Sequence, residues 1–349
     1  MSAPTAPAAP TTPPAPEAPT TATASAPHLV KWLTRLHRPA LTVWTVLVLV
    51  LAAALLWLWG PLTEGSARAW EHYATCTADP CHYNQYAILL YKDVYQYTTL
   101  AVLVVPFLVA AWAGGSLIGR EMESGTARLA WTQGISPTRW LAAKLAVPTV
   151  LVTVGTGALV LLHHAMWSAG DGRIDTAKPW YSFETFYAGG TVPVALALAG
   201  LAAGALIGLV QGRSLAALGG GLGVTGLLWF GVHMALPHLW PTTTRVTSLQ
   251  DGVKGSGIGV RTGVLTASGA RVGDQGCGRG DSPECRAAFD RVDAVGYYTE
   301  YHPRSHFWPL QLMASGLLLV VTALLVLAAF RVLHRRTTAS APARAEAAV

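Results

Sequence analysis

The chain has 349 residues, 52% of them hydrophobic and only 12% charged, with a formal net charge of +6. A soluble domain carries about 25% charged residues, so this composition argues against a soluble fold, which would lack the charge to cover its surface. The basic excess reads as a marker of membrane orientation, and nucleic-acid binding is the poorer reading.

Residues 1–27 are Ala, Pro, Thr and Ser with Glu17 as their one charge. They offer no core and no steady period, and read as a disordered tail. They lack the basic region and the apolar run of a signal peptide. In residues 29–38, LVKWLTRLHR, Leu29, Trp32, Leu33 and Leu36 form one stripe and Lys31, Thr34, Arg35 and Arg38 the other. That spacing predicts a short amphipathic helix on the membrane surface, ended by Pro39; a plain basic flank of the next helix is the alternative.

About 20 apolar residues cross the hydrocarbon core as a helix. Six runs reach that length, at about 41–60, 99–118, 141–163, 188–210, 214–236 and 308–332. Lys144 and Arg331 are the charged residues within them, each close to an end. Gly200, Gly204 and Gly208 repeat at the spacing that lets helix backbones approach. The fold class predicted is an all-α membrane protein: six spans, the amphipathic helix before them, a six-helix domain over 28–336, and a disordered tail over 337–349.

The first loop carries Trp70, Tyr73, Tyr83, Tyr86, Tyr91, Tyr95 and Tyr97, read as an interfacial aromatic belt, with a substrate-facing wall as the alternative. The second repeats the habit with Trp167, Trp180, Tyr181, Phe183, Phe186 and Tyr187. His163, His164, His233 and His238 are expected as interfacial side chains. In the last loop, 237–307, residues 245–249 and 260–266 alternate weakly around Gly255, Gly257 and Gly259, which predicts a small β excursion. Arg279-Gly280-Asp281 spells an adhesion tripeptide, too short to carry weight.

Between the second and third runs the chain turns polar: GREMESGTARLAWTQGISPTRWLAAK, residues 119–144. Thr126–Gln133 has room for two helical turns, ended by Gly134. Ser136-Pro137 starts the next helix, with Ser as cap and Pro in the first turn. Arg139, Trp140 and Lys144 are expected to reach the membrane interface.

Lys and Arg cluster before the first run, after the second, between the fourth and fifth, and in the tail, which places these segments and both termini in the cytoplasm. All four cysteines then fall in outer loops, where disulfides survive. Their closeness in sequence predicts Cys76–Cys81 and Cys277–Cys285 bridges; free thiols, or a metal at the first pair with His72 and His82, are the alternatives. The chain has no phosphate-binding loop, no zinc-protease motif and no nucleophile elbow. It has no mid-span acid to relay protons or sodium.

Glu121-Met-Glu123-Ser-Gly125-Thr126, followed by Ser136-Pro137-Thr138-Arg139 and Lys144, resembles the E-x-E-x-G-T … P-x-R … K pattern of ABC-2-type transporter permeases. The closing PRSHFWPLQLMASGLLL resembles the last outer loop and sixth span of a subgroup. The resemblance covers roughly residues 28–336; the Pro-rich tail and the long last loop are outside it. It implies the membrane subunit of an ATP-driven exporter in a prokaryotic plasma membrane, without catalysis or a bound cofactor of its own. Separate ATPase subunits would use ATP and Mg, and the permease would dimerise with itself or with a sister permease. The helix near 126–133 would be a coupling helix. Glu121, Glu123, Gly125 and Thr126 would form the inner gate and coupling surface, and Arg128, Pro137 and Arg139 the ATPase contact or its support. The competing readings are a membrane-embedded enzyme using outer-loop His, Asp and Cys, and a scaffold or sensor whose outer loop binds a ligand.

Overall fold

The structure is a computed structural model. It describes residues 38–339 apart from 78–79, 176, 254, 275 and 278–281. The Pro-rich tail, the amphipathic segment before Arg38, the tripeptide at 279–281 and the chain beyond 339 lie outside the described residues.

Among the described residues six helices are long and apolar enough to cross a membrane: span 1 (Arg38–Thr75), span 2 (Gln85–Glu123), span 3 (Pro137–Gly170), span 4 (Val192–Gln211), span 5 (Ser214–His238) and span 6 (Arg304–Thr338). Each contains an expected apolar run or nearly all of it. In hydrocarbon a helix is the form that satisfies every backbone group within the segment. Within the described residues span 1 runs from Arg38, with Pro39 as its second residue. Pro61 lies in a π turn, Leu58–Leu62, and the Thr63 hydroxyl donates to the Leu58 carbonyl at 2.6 Å. The helix then resumes over Thr63–Thr75.

Much of the expected first outer loop is therefore helix. Asn84 caps span 2, its side chain accepting from the Ala87 amide at 3.1 Å. The connection left between the two helices carries the Cys76–Cys81 disulfide. The aromatic belt is corrected in part. Tyr73, Tyr86 and Tyr97 are exposed, but Tyr91 and Tyr95 are buried inside the bundle, because span 2 carries them inward on the same face as Val102 and Val109.

Span 4 is the central helix. Of its most apolar window 78% is buried, against 17% for span 1 and 22% each for spans 5 and 6. Its glycine stripe explains how it fits. A Cβ on Gly204 would lie 2.5 Å from the Ala110 carbonyl oxygen and 2.7 Å from the Gly114 nitrogen, both on span 2. Span 2 answers with a π turn over Ala113–Gly119, and a Cβ on its Gly114 would lie 2.3 Å from the Ala217 carbonyl of span 5. Small residues thus bring three backbones into contact.

Between spans 3 and 4 the buried helix α2 (Phe183–Ala188) returns toward the bundle. Span 4 starts at Val192, four residues later than expected, because Gly189 and Gly190 intervene. The Gln311 side chain lies where a Cβ on Gly190 would sit, 2.2 Å away.

Between spans 5 and 6 the chain builds an antiparallel sheet in the order β1 (Thr243–Ser248), β4 (Ala294–His302), β2 (Ile258–Thr266), β3 (Arg271–Gly273). Helix α3 (Pro283–Arg291) packs Phe289 edge-on to Tyr297 at 5.7 Å, and Cys277 is bonded to Cys285 beside them. The two expected strands are β1 and β2, shifted by one or two residues. β4 runs into span 6 through Arg304–His306, and Arg304 binds Asp171 at the end of span 3 at 2.8 Å. Span 6 continues as helix to Ala339, past the expected domain limit at 336.

Candidate functional site

At the end of the bundle away from the sheet, the acidic motif lies on the last turn of span 2, Arg120–Glu123. Two residues along an α-helix turn the side chain through about 200°, so Glu121 and Glu123 reach different neighbours. Glu121 pairs with Lys144 of span 3 and accepts from the Trp140 indole N–H at 3.3 Å. Glu123 accepts from the Ser214 amide at 2.9 Å and from its hydroxyl at 2.6 Å. Ser214 is the first residue of span 5, where amides have no partner within the helix and an anion is favoured. The spacing of the two acids thus ties span 2 to spans 3 and 5 together.

Gly125 follows with φ +75° and open space where a Cβ would stand. Its glycine is needed for the left-handed backbone and not for room. Thr126 reaches back to the Glu121 carbonyl at 3.4 Å and to the Ser124 hydroxyl at 3.0 Å. Helix α1, Thr126–Thr132, then buries Ala127 and turns Arg128 and Leu129 outward, with Leu129 58% exposed. Gly134, at φ +93°, closes the turn after it. The Ser136 side chain accepts from the Arg139 amide at 3.4 Å, and Pro137 opens span 3. Trp131 meets Trp140 edge-on at 5.7 Å.

The structure therefore joins Glu121, Glu123, Gly125 and Thr126 in one hydrogen-bonded corner. Arg128 and Arg139 are exposed on its outer side, and Pro137 is the first residue of span 3. Lys144 corrects the expectation that it reaches the interface: it is 1% exposed. A buried ammonium needs a counter-charge, and Glu121 supplies one more directly than a stretch to the headgroups would. Trp140, also buried, is corrected for the same reason. Sequence reasoning did not find Ser214 or Arg336. Arg336 Nη2 donates to the Val210 carbonyl of span 4 at 2.6 Å, next to Gly212 in the left-handed turn that ends the helix. Its signal was a basic residue in the last turn of an apolar helix, which also marks any membrane flank.

At the sheet end His163 is another correction. It is fully buried, its Nε2 3.0 Å from the Thr99 hydroxyl and its ring 5.9 Å from that of Tyr95, both on span 2. Tyr95 joins Thr185 at 2.6 Å and Tyr187 joins His233 at 3.1 Å; burial raises the Tyr187 phenol above its ordinary value. Arg173 grips Glu64 through two bonds of 2.9 and 3.2 Å, and this partner holds the guanidinium above its ordinary value. His302 Nε2 donates to the Pro237 carbonyl at 3.2 Å, leaving its Nδ1 3.2 Å from His306 Nδ1.

Six apolar helices among the described residues, five of them around the buried span 4, with polar corners at each end, define a multi-pass membrane protein. The sequence matches the family model described as ABC-2 membrane transporter related over residues 45–240, more than half of the chain. The match runs from span 1 through span 5 and includes the corner at 119–144. The chain belongs to this family of transporter permeases, whose members generally pair with an ABC ATPase. The sheet and span 6 lie beyond the matched residues. No curated protein and no solved structure matches the chain.

Proposed function

We propose that this chain is the permease subunit of an ATP-driven exporter, worked from the cytoplasm by a separate ATPase through α1. The observation that carries the reading is the corner itself. α1 stands between two spans, and the acids at its root fasten spans 2, 3 and 5. A force applied to α1 therefore reaches three spans at once. The basic residues at this end support a cytoplasmic position for α1 and for both termini in the plasma membrane. Two ATPase subunits use ATP and Mg, and two permease copies, or this chain with a sister permease, complete the pathway. Arg128 and Arg139 face away from the bundle, where a docking surface would meet them, while Glu121, Glu123, Gly125 and Thr126 set the angle of α1. The outer-loop enzyme reading gains no nucleophile from the cysteines, since all four are paired in disulfides.

The test is co-purification of the full chain with its ATPase. Arg128→Glu and Arg139→Glu change exposed side chains outside the apolar lining and should leave membrane insertion and unfolding unchanged. Each should weaken ATPase association by about tenfold or more, the range of an interface anchor. Unchanged association in both variants would refute docking on α1.

A further inference from the structure

Above α1 lies a groove of about 1110 Å³ between the adjoining ends of spans 1, 2 and 3. Its walls include Trp44 and Leu47 of span 1, Leu108 of span 2 and Leu151 of span 3, and its floor is Leu129 and Ala130 of α1. Such a space does not stay empty at membrane depth. An empty groove forfeits dispersion contacts along its whole lining, and water finds few polar partners on walls of this kind. Hydrocarbon fills it.

The mouth decides what that hydrocarbon belongs to. Arg120 lines it and is exposed. Glu121 is the acid among the described lining residues, and Lys144 already engages it. Arg38 stands at the start of span 1 beside Pro39, at the same end. The hydroxyls of Ser124 and Thr126 lie on the same rim. An apolar slot under a cationic, hydroxyl-bearing mouth fits a phosphodiester headgroup on an acyl chain, since charge-assisted bonds from arginine to phosphate are among the strong ones.

We propose that this groove holds one anionic phospholipid from the leaflet on the side of α1, its phosphate on Arg120 and an acyl chain against Trp44 and Leu151. The lipid covers the Leu129 and Ala130 side of α1, next to the exposed Arg128, and braces it from the membrane. This site goes beyond the transport reading and stands whether or not an ATPase docks on α1.

The test is native mass spectrometry of the full-length protein, released from micelles holding equal phosphatidylglycerol and phosphatidylcholine of identical chains. One bound phosphatidylglycerol should be retained about fivefold over phosphatidylcholine, the worth of one basic residue near an anionic head. Arg120→Gln should bring the ratio to about one, whereas Arg335→Gln, on the exposed tail of span 6, should leave it. Leu47→Trp should reduce retention of both lipids by filling the slot, and excess inorganic phosphate should not displace the lipid. Equal retention by the wild type would overturn the proposal, as would an Arg120→Gln ratio like the wild type's. So would displacement by phosphate alone, or a deletion of residues 28–37 that raises retention, which would make that segment the occupant.

Discussion

Removing the Glu121 carboxylate tests the corner most directly. Glu121→Ala takes the carboxylate from two buried groups at once: the Lys144 ammonium, 1% exposed, and the Trp140 indole N–H, 2% exposed. Breaking a buried pair from one side costs about 3–5 kcal/mol, because the remaining charge stays desolvated. The Glu121 side chain keeps 13% of its surface, so water gives some relief and the lower end, about 3 kcal/mol, is expected. Lys144→Met alone should cost less, since the carboxylate it leaves behind can hydrate at that exposed edge. The double variant Glu121→Ala with Lys144→Met removes that buried charge. It should lie within about 1–1.5 kcal/mol of the wild type, the worth of the lost indole hydrogen bond. The assay is equilibrium unfolding in mixed micelles, with the four proteins closing a double-mutant cycle. A single-variant loss below about 1 kcal/mol, the value of an exposed ion pair, would refute the argument, as would a double variant no more stable than Glu121→Ala.

The glycine contacts predict a contrast within one assay. Gly204→Ala should destabilise by about 1–3 kcal/mol through overpacking against span 2, whereas Gly223→Ala, with nothing within 4 Å of its Cβ, should be neutral or stabilising in the same unfolding measurement. All four cysteines are bonded, so maleimide should label none of them until a reductant is added, and labelling without one would contradict the pairing. Burial holds the His302 imidazole below its ordinary value of 6.5, the Pro237 carbonyl opposes this, and His306 adds to the lowering. The neutral form is the folded one, so its contribution is full above pH 6.5 and is lost as pH falls through the depressed value. Limited proteolysis of the sheet should therefore quicken as the pH falls below 6.5, and His302→Gln should flatten that dependence.

The spans were legible because apolar length has one physical meaning at membrane thickness. Their ends were not, since a helix leaving hydrocarbon no longer needs apolar residues. Thr63–Thr75 reads TEGSARAWEHYAT and gives no span signal, yet it continues span 1. The same blindness placed Tyr91 and Tyr95 in a belt when span 2 buries them. In the sheet, β1 and β2 alternate enough to be read. β4, AVGYYTEYH, carries consecutive tyrosines because a central strand is covered on both faces, and period-two reasoning has no purchase there. At the corner, the acids, the glycine and the Ser-Pro start were visible as a motif. Their partners were not, because Lys144 and Ser214 become neighbours of Glu121 and Glu123 only once spans 2, 3 and 5 are packed.

That division bears on how the corner could work. A helix flanked by Gly125 and Gly134, both at positive φ, would by itself be a loose hinge. Its roots oppose that. Thr126 is bonded to the Ser124 hydroxyl and to the Glu121 carbonyl on one side, and Trp131 lies against Trp140 on the other. Glu123 extends the fastening to span 5, and close glycine contacts join spans 2, 4 and 5. The glycines therefore set the angle at which α1 leaves the bundle and do not free it to swing. On the proposed coupling, a displacement of α1 moves the feet of spans 2, 3 and 5 as one body. The compliance then has to lie at the lipid-exposed faces of spans 1 and 6, where little of the bundle resists.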